Sequence, residues 1–247
     1  MDTPIYVINL DRDTERLASI SANLGELGLA FERIPAVLGA AHMDDPAIVD
    51  LARYPGRNRR PTPRAGEVGC YLSHMRAFER FLESGAARCV VLEDDVECLP
   101  ALPGVLRSLF ERDDWDLAKL FCFHAGCPLP VRRLAGGHRL CVHLTRTTSS
   151  AGYALNRRAA EVLRRTLLPL SLQVDHALDR PWESGLRVRG VRPLPVRLAP
   201  VSGVTTIGYA DKKAAKEPNP RLFLWRAATE ACRFTQAVME SGRALLR

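Results

Sequence analysis

The stretch that decides the fold is PIYVINLDRDTERLASISANLGELGLAFERIPAV, residues 4–37. Its opening PIYVINL is a short apolar segment typical of a buried strand, and AFERIPAV at its end predicts a second strand. Between the two strands, apolar side chains recur at the spacing of a helix. These are Leu17, Ile20, Leu24 and Leu27. A strand, a helix and a strand in so short a segment predict a right-handed βαβ unit and a parallel sheet.

Later segments continue the pattern of strands and amphipathic helices. GEVGCYLSHMRAFERFLESG predicts a helix, and RCVVL predicts a strand that ends at an acidic triplet. Asn156 is a candidate N-cap for the helix RRAAEVLRRTLL, and the chain from about Pro218 has a helical composition. We therefore expect one α/β domain over residues 1–217 and a C-terminal helical segment over residues 218–247.

Composition indicates a globular protein of one core. Apolar residues make up 47% and charged residues 26% of 247 residues, which excludes a disordered chain. No apolar run reaches bilayer-spanning length, and the N-terminus lacks the basic start of a signal peptide. We therefore expect a cytoplasmic protein whose seven cysteines are reduced thiols.

The net charge of +7 fits anionic partners or simply a solubilising surface. Five arginines lie in the proline-containing stretch RYPGRNRRPTPR, which is a candidate phosphate clamp or a solvated loop. That loop has one aromatic residue, Tyr54, and none interleaved among its later arginines. A nucleic-acid-binding function would also leave the acidic triplet unexplained, so no nucleic-acid partner is expected. The C-terminal helix mixes aromatic residues with arginines, which suits either packing on the domain or contact with an anionic membrane.

The acidic triplet is Glu93, Asp94 and Asp95, within VVLEDDVE. Two such charges one strand period apart repel by roughly 2 kcal/mol at an effective dielectric of about 20. Strand alternation puts Glu93 and Asp95 on one face and Asp94 on the other. Two carboxylates at the carboxyl edge of a sheet suit a hard divalent cation, although a solvated acidic turn would have the same sequence.

Other side chains are candidates for chemistry or for structure. His74 and Glu67 lie inside or at the edge of an apolar helical face and need partners there. Cys70 is one turn from His74, but a buried inert cysteine fits the segment better than a nucleophile. Asp175 is either a helix N-cap or a general base. Residues of zinc-ligand type also cluster, without the spacing of a standard zinc finger, at Cys122, His124, Cys127, His138, Cys141 and His143.

Several of these blocks, in this order, resemble glycosyltransferase family 25, which includes bacterial lipooligosaccharide galactosyltransferases and collagen galactosyltransferases. The similar blocks are IYVINLDRDTERL, FERIPAVLG, GEVGCYLSHMRAF, VVLEDDVE, SSAGYALNRRAAEVL and LSLQVDHAL, with APVSGVTTIG a looser match. The resemblance covers residues 4 to about 208. Leu38 departs from the pattern, because members usually have an acid before this glycine.

The resemblance implies a GT-A-type, Rossmann-like nucleotide-binding sheet flanked by helices, with a mixed acceptor-binding half and a helical C-terminal tail. It implies transfer of a hexose, usually galactose, from a UDP-sugar to a glycan or glycolipid acceptor such as lipooligosaccharide, with inversion. A non-catalytic sugar-nucleotide-binding relative is the alternative. We expect such an enzyme in the cytoplasm or peripherally at the cytoplasmic face of the inner membrane.

Site residues follow from the same resemblance together with the chemistry of the reaction. Glu93 and Asp95 would hold Mn²⁺ or Mg²⁺. Asp175 would be the catalytic base, with Glu67 as the alternative. We expect the UDP-sugar to be held by a group of polar residues around the strand ends and the second predicted helix. These are Asn9, Asp11, Arg12, Arg16, Ser73, His74 and Asp94.

Overall fold

The protein has a mixed α/β architecture built on one large sheet, and the computed structural model describes residues 3–200 and 220–245. The strands are β1 Ile5–Asn9, β2 Glu32–Pro35, β3 Arg88–Glu93, β4 Val96–Cys98, β5 Leu117–Lys119, β6 Pro128–Arg133, β7 Arg139–His143, β8 Gly152–Asn156, β9 Val188–Arg192 and β10 Val196–Leu198. Eight of them form a sheet in the order β2-β1-β3-β8-β5-β9-β7-β6, and β4 pairs with β10 in a separate ribbon. The predicted α/β class is confirmed.

Helices cover the sheet and close the chain. They are α1 Thr14–Glu26, α2 Tyr54–Arg57, α3 Ala65–Glu83, α4 Leu102–Phe110, α5 Arg157–Thr166, α6 Val174–Leu178, α7 Pro181–Ser184 and α8 Pro220–Leu245, with 3₁₀ turns at Gly39–His42 and Ala135–Gly137. As predicted, Asn156 caps α5, because its Oδ1 accepts a hydrogen bond of 2.8 Å from the Ala159 amide.

The predicted βαβ unit is present at the start of the chain. Strand β1 pairs in parallel with β2 on one side and with β3 on the other. The prediction of a parallel sheet is wrong beyond β3, because β8 runs antiparallel to both β3 and β5. This reversal has a direct consequence for the site, since it puts the start of β8 beside the carboxyl end of β3. The Glu93 amide donates a 2.8 Å hydrogen bond to the Ala151 carbonyl there.

Two apolar clusters fill the two faces of the sheet. Cys89 and Val91 of β3 belong to the cluster under α3 and α5, whereas Val90 and Leu92 belong to the cluster under α1 and α4. The strand is therefore buried on both faces, as its continuous apolar sequence indicates. By the same alternation, the next residue, Glu93, faces α3.

Helix α3 packs closely on the segment that follows β2. A Cβ added to Gly69 would lie 2.4 Å from the Val37 carbonyl oxygen, and one added to Gly39 would lie 2.1 Å from the Ala65 carbonyl oxygen. Ser73 fastens the same contact, because its Oγ accepts from the Val37 amide at 2.8 Å and donates to the Gly69 carbonyl at 2.6 Å. Much of the GEVGCYLSH block therefore positions α3.

Helix α8 lies on the domain, which confirms the predicted helical tail. Its inward Arg233 bonds the buried Asp179 carboxylate at 2.7 Å, and its outward side leaves Phe223, Leu224 and Phe234 exposed. Contact of that outward side with an anionic membrane stays a prediction. Among the described helices, none combines the length and apolar character needed to cross a bilayer. The predicted boundary at 217/218 and most of the APVSGVTTIG block fall outside the described residues.

Candidate functional site

The acidic triplet lies at the edge of the sheet where β1 and β3 both end. Strand β3 stops at Glu93, and Asp94 and Asp95 form the turn into β4. The predicted continuation of the strand through Asp94 and Asp95 is therefore wrong, and a turn sets their directions, but Asp94 still faces away from Glu93, toward Asn9, whereas Asp95 is near Glu93. Each member of the triplet has a different environment.

Asp94 points toward the end of β1 and the start of α1. Its Oδ2 accepts a hydrogen bond of 2.7 Å from Asn9 Nδ2, and its Oδ1 accepts one of 3.3 Å from Arg16 Nη1. Arg33 Nε in turn donates to Asn9 Oδ1 at 2.9 Å. Burial raises the pKa of Asp94, although Asn9 and Arg16 partly offset that rise. The structure thus brings Asn9, Arg16 and Asp94 together.

Glu93 faces α3 and is held by two side chains, Ser150 and His74, the second of which is itself held by Tyr153. Its Oε1 accepts from Ser150 Oγ at 2.6 Å and lies 3.3 Å from His74 Nε2. The other His74 ring nitrogen, Nδ1, is hydrogen-bonded to the Tyr153 hydroxyl at 2.7 Å. Burial alone would raise the pKa of Glu93, but the His74 and Ser150 hydrogen bonds outweigh it and hold this pKa below its ordinary value. Glu93 is therefore a fixed anion.

Asp95 is the uncompensated member of the triplet. Its Oδ1 is buried and has no hydrogen-bond partner within the described residues. Burial, followed by the charges of Glu93 and Asp94, raises the pKa of Asp95 to about 7. A buried carboxylate oxygen without a donor, beside a second anionic carboxylate, is a donor set that suits a hard divalent cation.

Cys70 lies beside this site on α3. One ligand atom each from Cys70, His74 and Glu93 lie within 4.8 Å of one another. Burial raises the pKa of the Cys70 thiol well above its ordinary value, and Glu93, Asp175 and Asp95 raise it further. The thiol is therefore neutral, which disfavours a nucleophilic role. Because the charges of Glu93, Asp95 and Asp175 all act on this one sulfur, Asp175 lies on the same side of the molecule as the triplet.

Asp175 occupies the first turn of α6. The N-cap of that helix is Gln173, so the alternative of Asp175 as the N-cap is wrong. Asp175 Oδ1 accepts a 2.8 Å hydrogen bond from the His176 amide, and the side chain is partly exposed. Asp175 thus presents a carboxylate at a helix start that borders the site.

Glu67 has a dense set of structural partners. Its carboxylate closes a capping box with Arg64, the N-cap of α3, whose amide donates to it at 3.0 Å. It also accepts from the Tyr54 hydroxyl at 2.9 Å, from Arg60, and from Gln173 at 3.4 Å. Glu67 therefore ties the arginine-rich loop and the approach to α6 onto α3.

The remaining predicted binding residues are divided between surface and interior. Asp11 and Arg12 are exposed beyond the end of β1, where Asp11 pairs with Arg33. Ser73 is buried, and its hydroxyl is hydrogen-bonded to the backbone of Val37 and Gly69. Ser150 and Tyr153, by contrast, contact the site and were absent from the predicted set. Their signal was the SSAGYAL block, whose place beside Glu93 depends on the antiparallel entry of β8.

The six cysteine and histidine residues between 122 and 143 do not form a metal centre in the described part of the chain, where the three-residue group with ligand spacing is that of Cys70. His138 Nδ1 is hydrogen-bonded to the carbonyls of Ala135 and Gly136, and His124 contacts Arg146. Both ring nitrogens of His143 are buried without a partner among the described residues.

Comparisons with known proteins address the ancestry of the chain. The model of "Glycosyltransferase family 25 (LPS biosynthesis protein)" matches residues 2–178. A glycosyltransferase 25 family member of Anopheles gambiae is 30% identical over 204 residues, covering 75% of this chain and 34% of that protein. Procollagen galactosyltransferase 1 of Danio rerio is 27% identical over 185 residues, covering 70% of this chain and 30% of that protein.

Other relatives have names that denote a lost activity. The inactive glycosyltransferase 25 family member 3 of Homo sapiens is 31% identical over 125 residues, covering 47% of this chain and 21% of that protein. The chain spans about a third or less of the length of these curated relatives. Among solved structures, a glycosyltransferase involved in glycosylation of the major capsid of PBCV-1 aligns with a TM-score of 0.44 and 9% identity, covering 76% of this chain and 80% of that one.

The family model covers well over half of the chain and includes α3, the acidic triplet and Asp175. These are the segments that the geometry brings to one edge of the sheet. The chain belongs to glycosyltransferase family 25.

Proposed function

We propose that the protein is an inverting glycosyltransferase that moves a hexose, galactose in the first instance, from a UDP-sugar to a hydroxyl of a glycan or glycolipid acceptor with the help of Mn²⁺ or Mg²⁺. One observation carries the proposal: the buried oxygen of Asp95 has no described partner and lies beside the fixed anion Glu93. Family membership supports the reaction class, and the galactosyltransferase relative supports the choice of sugar.

Glu93 and Asp95 are the residues that would hold the cation. A divalent ion held there would supply positive charge against the charge that develops on the leaving diphosphate. Ser150 and His74 orient Glu93 so that one of its carboxylate oxygens is fixed, and Tyr153 fixes the His74 ring in turn. Loss of such a partner of a metal ligand typically lowers metal affinity 10- to 100-fold.

The nucleotide is proposed to lie across the ends of β1 and β3. Ligands of open α/β sheets bind at the carboxyl ends of strands, where Asn9 and Asp94 meet. Asn9 and Arg16 brace Asp94 and so keep the turn in place, while the exposed Asp11 and Arg12 are available to the nucleoside.

Asp175 is the proposed general base. Its Oδ1 accepts a hydrogen bond from the His176 amide, which fixes the carboxylate. Oδ2 is then the oxygen that would accept a proton from the acceptor hydroxyl. Glu67 is less suited to this role, because its two oxygens already accept four hydrogen bonds. Inversion requires that the base and the leaving group lie on opposite faces of the sugar.

A donor screen tests the proposal. UDP release from UDP-galactose, UDP-glucose and UDP-N-acetylglucosamine is followed with and without Mn²⁺, and Mn²⁺-dependent UDP binding is measured by calorimetry. We expect Asp175→Asn to lower UDP release at least 100-fold, the ordinary contribution of a general base, with little change in UDP binding. Glu67→Gln should mainly lower the unfolding temperature.

Three outcomes would contradict parts of the proposal. Full turnover of the Asp175→Asn variant would remove Asp175 as the base. Turnover that is indifferent to chelation would remove the metal. Binding of UDP without release of UDP from any donor would instead favour the alternative, a non-catalytic sugar-nucleotide-binding protein. Relatives whose names call them inactive are the reason to test for it.

A further inference from the structure

Three arginines from distant parts of the chain border the segment that carries Asp175. Arg59 belongs to the arginine-rich loop, Arg146 to the connection between β7 and β8, and Arg226 to α8. Within residues 3–200 and 220–245, none of the three forms an ion pair with an acid. Exposed cations without an acidic partner are candidates for contact with an anionic ligand.

Hydrogen bonds fasten the loop of Arg59 to the chain that leads into α6. Arg57 Nη1 donates to Ser171 Oγ at 2.8 Å, and Asn58 Nδ2 donates to the Ser171 carbonyl at 3.0 Å. The exposed Arg59 directly follows Asn58 in the chain, and Ser171 lies four residues before Asp175. The position of Arg59 is therefore set by the same segment that positions the proposed base.

Helix α8 brings Arg226 to the same place. The neighbouring Trp225 ring lies 5.9 Å from the Arg57 guanidinium carbon and 4.8 Å from that of Arg180. The Arg57 contact holds the start of α8 against the arginine-rich loop, and the Arg180 contact holds it against the start of α7. Arg226 itself is exposed, one residue beyond this contact.

Electrostatics show that the three guanidinium groups share one region. Partial desolvation of the guanidinium group lowers the pKa of Arg226, and the charges of Arg59 and Arg146 lower it further, so both arginines lie near it. Arg146 also acts on His176, the residue after Asp175, and contributes to the lowered pKa of that imidazole behind the larger effect of burial. Arg146 is held at 3.2 Å from His124 Nε2 rather than by a carboxylate.

We propose that Arg59, Arg146 and Arg226 bind an anionic group, a phosphate or a carboxylate, carried by the acceptor. The inference rests on the proposed function in one respect, namely that the molecule that carries the anion is the acceptor. The donor diphosphate belongs with Glu93 and Asp95, whereas the arginines adjoin Asp175, whose proton-accepting oxygen must meet the acceptor hydroxyl. Guanidinium groups suit both anions, because their paired N–H donors match two oxygens at once.

Binding of small probes tests this without turnover. The protein is saturated with UDP and Mn²⁺ so that the donor side is filled, and calorimetry in about 50 mM NaCl compares glucose, glucose 6-phosphate and glucuronate. We expect glucose 6-phosphate, glucuronate or both to bind at least tenfold more tightly than glucose. The two charged probes distinguish a phosphate site from a carboxylate site.

The matched variants are Arg59→Gln/Arg226→Gln and, as control, Arg164→Gln/Arg165→Gln. The control pair is exposed on α5 and removes the same charge elsewhere. The first pair should weaken binding of the charged probe about tenfold, equivalent to about 1.4 kcal/mol, and the control pair should not. Circular dichroism melting shows that both variants are folded.

Several results would overturn the proposal. Equal affinity for glucose and both charged probes would do so, as would an undiminished affinity in the Arg59→Gln/Arg226→Gln variant. Probe binding that is present without UDP and absent in the UDP-saturated protein would show that the anion occupies the donor side instead. Because binding is scored without catalysis, a protein that released no UDP from any donor would overturn the proposed function while the anion site could still be measured.

Discussion

Replacing Asp95 by asparagine should stabilise the metal-free protein and at the same time remove its response to Mn²⁺. The carboxylate is partly buried, one of its oxygens has no described partner, and two other acids precede it. In the absence of a cation, its charge therefore opposes folding. Asparagine keeps the shape and removes the charge.

The pKa shift gives the size of the effect. A pKa raised from 3.8 to about 7 means that ionising Asp95 costs about 4 kcal/mol more in the folded chain than in the unfolded chain. Between about pH 4 and pH 7 the folded chain holds a proton that the unfolded chain has lost, so this group makes stability fall as pH rises through that window. The Asp95→Asn variant should lack that decline.

Urea unfolding in EDTA at pH 4.5 and pH 8 measures it. The free energy of unfolding of the variant, relative to the parent protein, should rise by about 3 to 4 kcal/mol between the two pH values. With Mn²⁺ at about 100 times its dissociation constant, the parent should gain about 2.7 kcal/mol and the variant much less. Asp113→Asn, which removes an exposed acid on the loop after α4, is the control.

Two results would refute this reasoning. If the pH profile of Asp95→Asn in EDTA is parallel to that of the parent protein, the Asp95 charge is not held at a cost in the fold. If Mn²⁺ stabilises both proteins equally, Asp95 does not hold the cation.

Two further predictions concern the scaffold. Gly69→Ala should lower the free energy of unfolding by about 1 to 3 kcal/mol, because the new Cβ would lie 2.4 Å from the Val37 carbonyl oxygen, whereas Gly25→Ala in α1 has open space and should raise it by about 0.5 to 1 kcal/mol; equal urea midpoints for the two variants would contradict the packing argument. Burial, followed by nearby cations, lowers the pKa of His143 to about 4, so the unfolded chain takes up this proton first as pH falls from 6.5 to 4. His143→Phe should therefore lose about 3 kcal/mol less stability than the parent protein across that range, and an identical loss in the two proteins would count against the buried neutral imidazole.

Local periodicity was enough to predict much of the scaffold. The strand, helix and strand of residues 4–37, the long helix that became α3, and the apolar strand before Glu93 are all present. Each depends on side-chain spacing within one segment, which the sequence displays directly. Strand β6 and helix α4 were not predicted, and the alternation argument did not extend to Asp95, because the chain turns where the strand ends.

Pairings between distant segments could not be predicted in the same way. Glu67 has the residue type of a base, but its roles in the α3 capping box and in holding the arginine-rich loop appear only when Tyr54 and Gln173 are brought to it. The neutral state of the Cys70 thiol depends likewise on burial, followed by three carboxylates from two distant segments. Such environments are set by burial and by neighbours, and a sequence lists neither.

The sequence by itself determined that acids would stand at the carboxyl end of a buried strand, because the apolar run RCVVL ends directly at Glu93. Only the tertiary structure decided how those acids differ. The antiparallel β8 brings Ser150 and Tyr153 to the site, where they fix Glu93 directly and through His74. The turn after β3 brings Asp94 to Asn9, and the buried Oδ1 of Asp95 has no described hydrogen-bond donor. The physical reason is that local sequence fixes only where along the chain a charge lies. Its partners depend on strand direction and turn geometry, which arise from packing of the whole sheet.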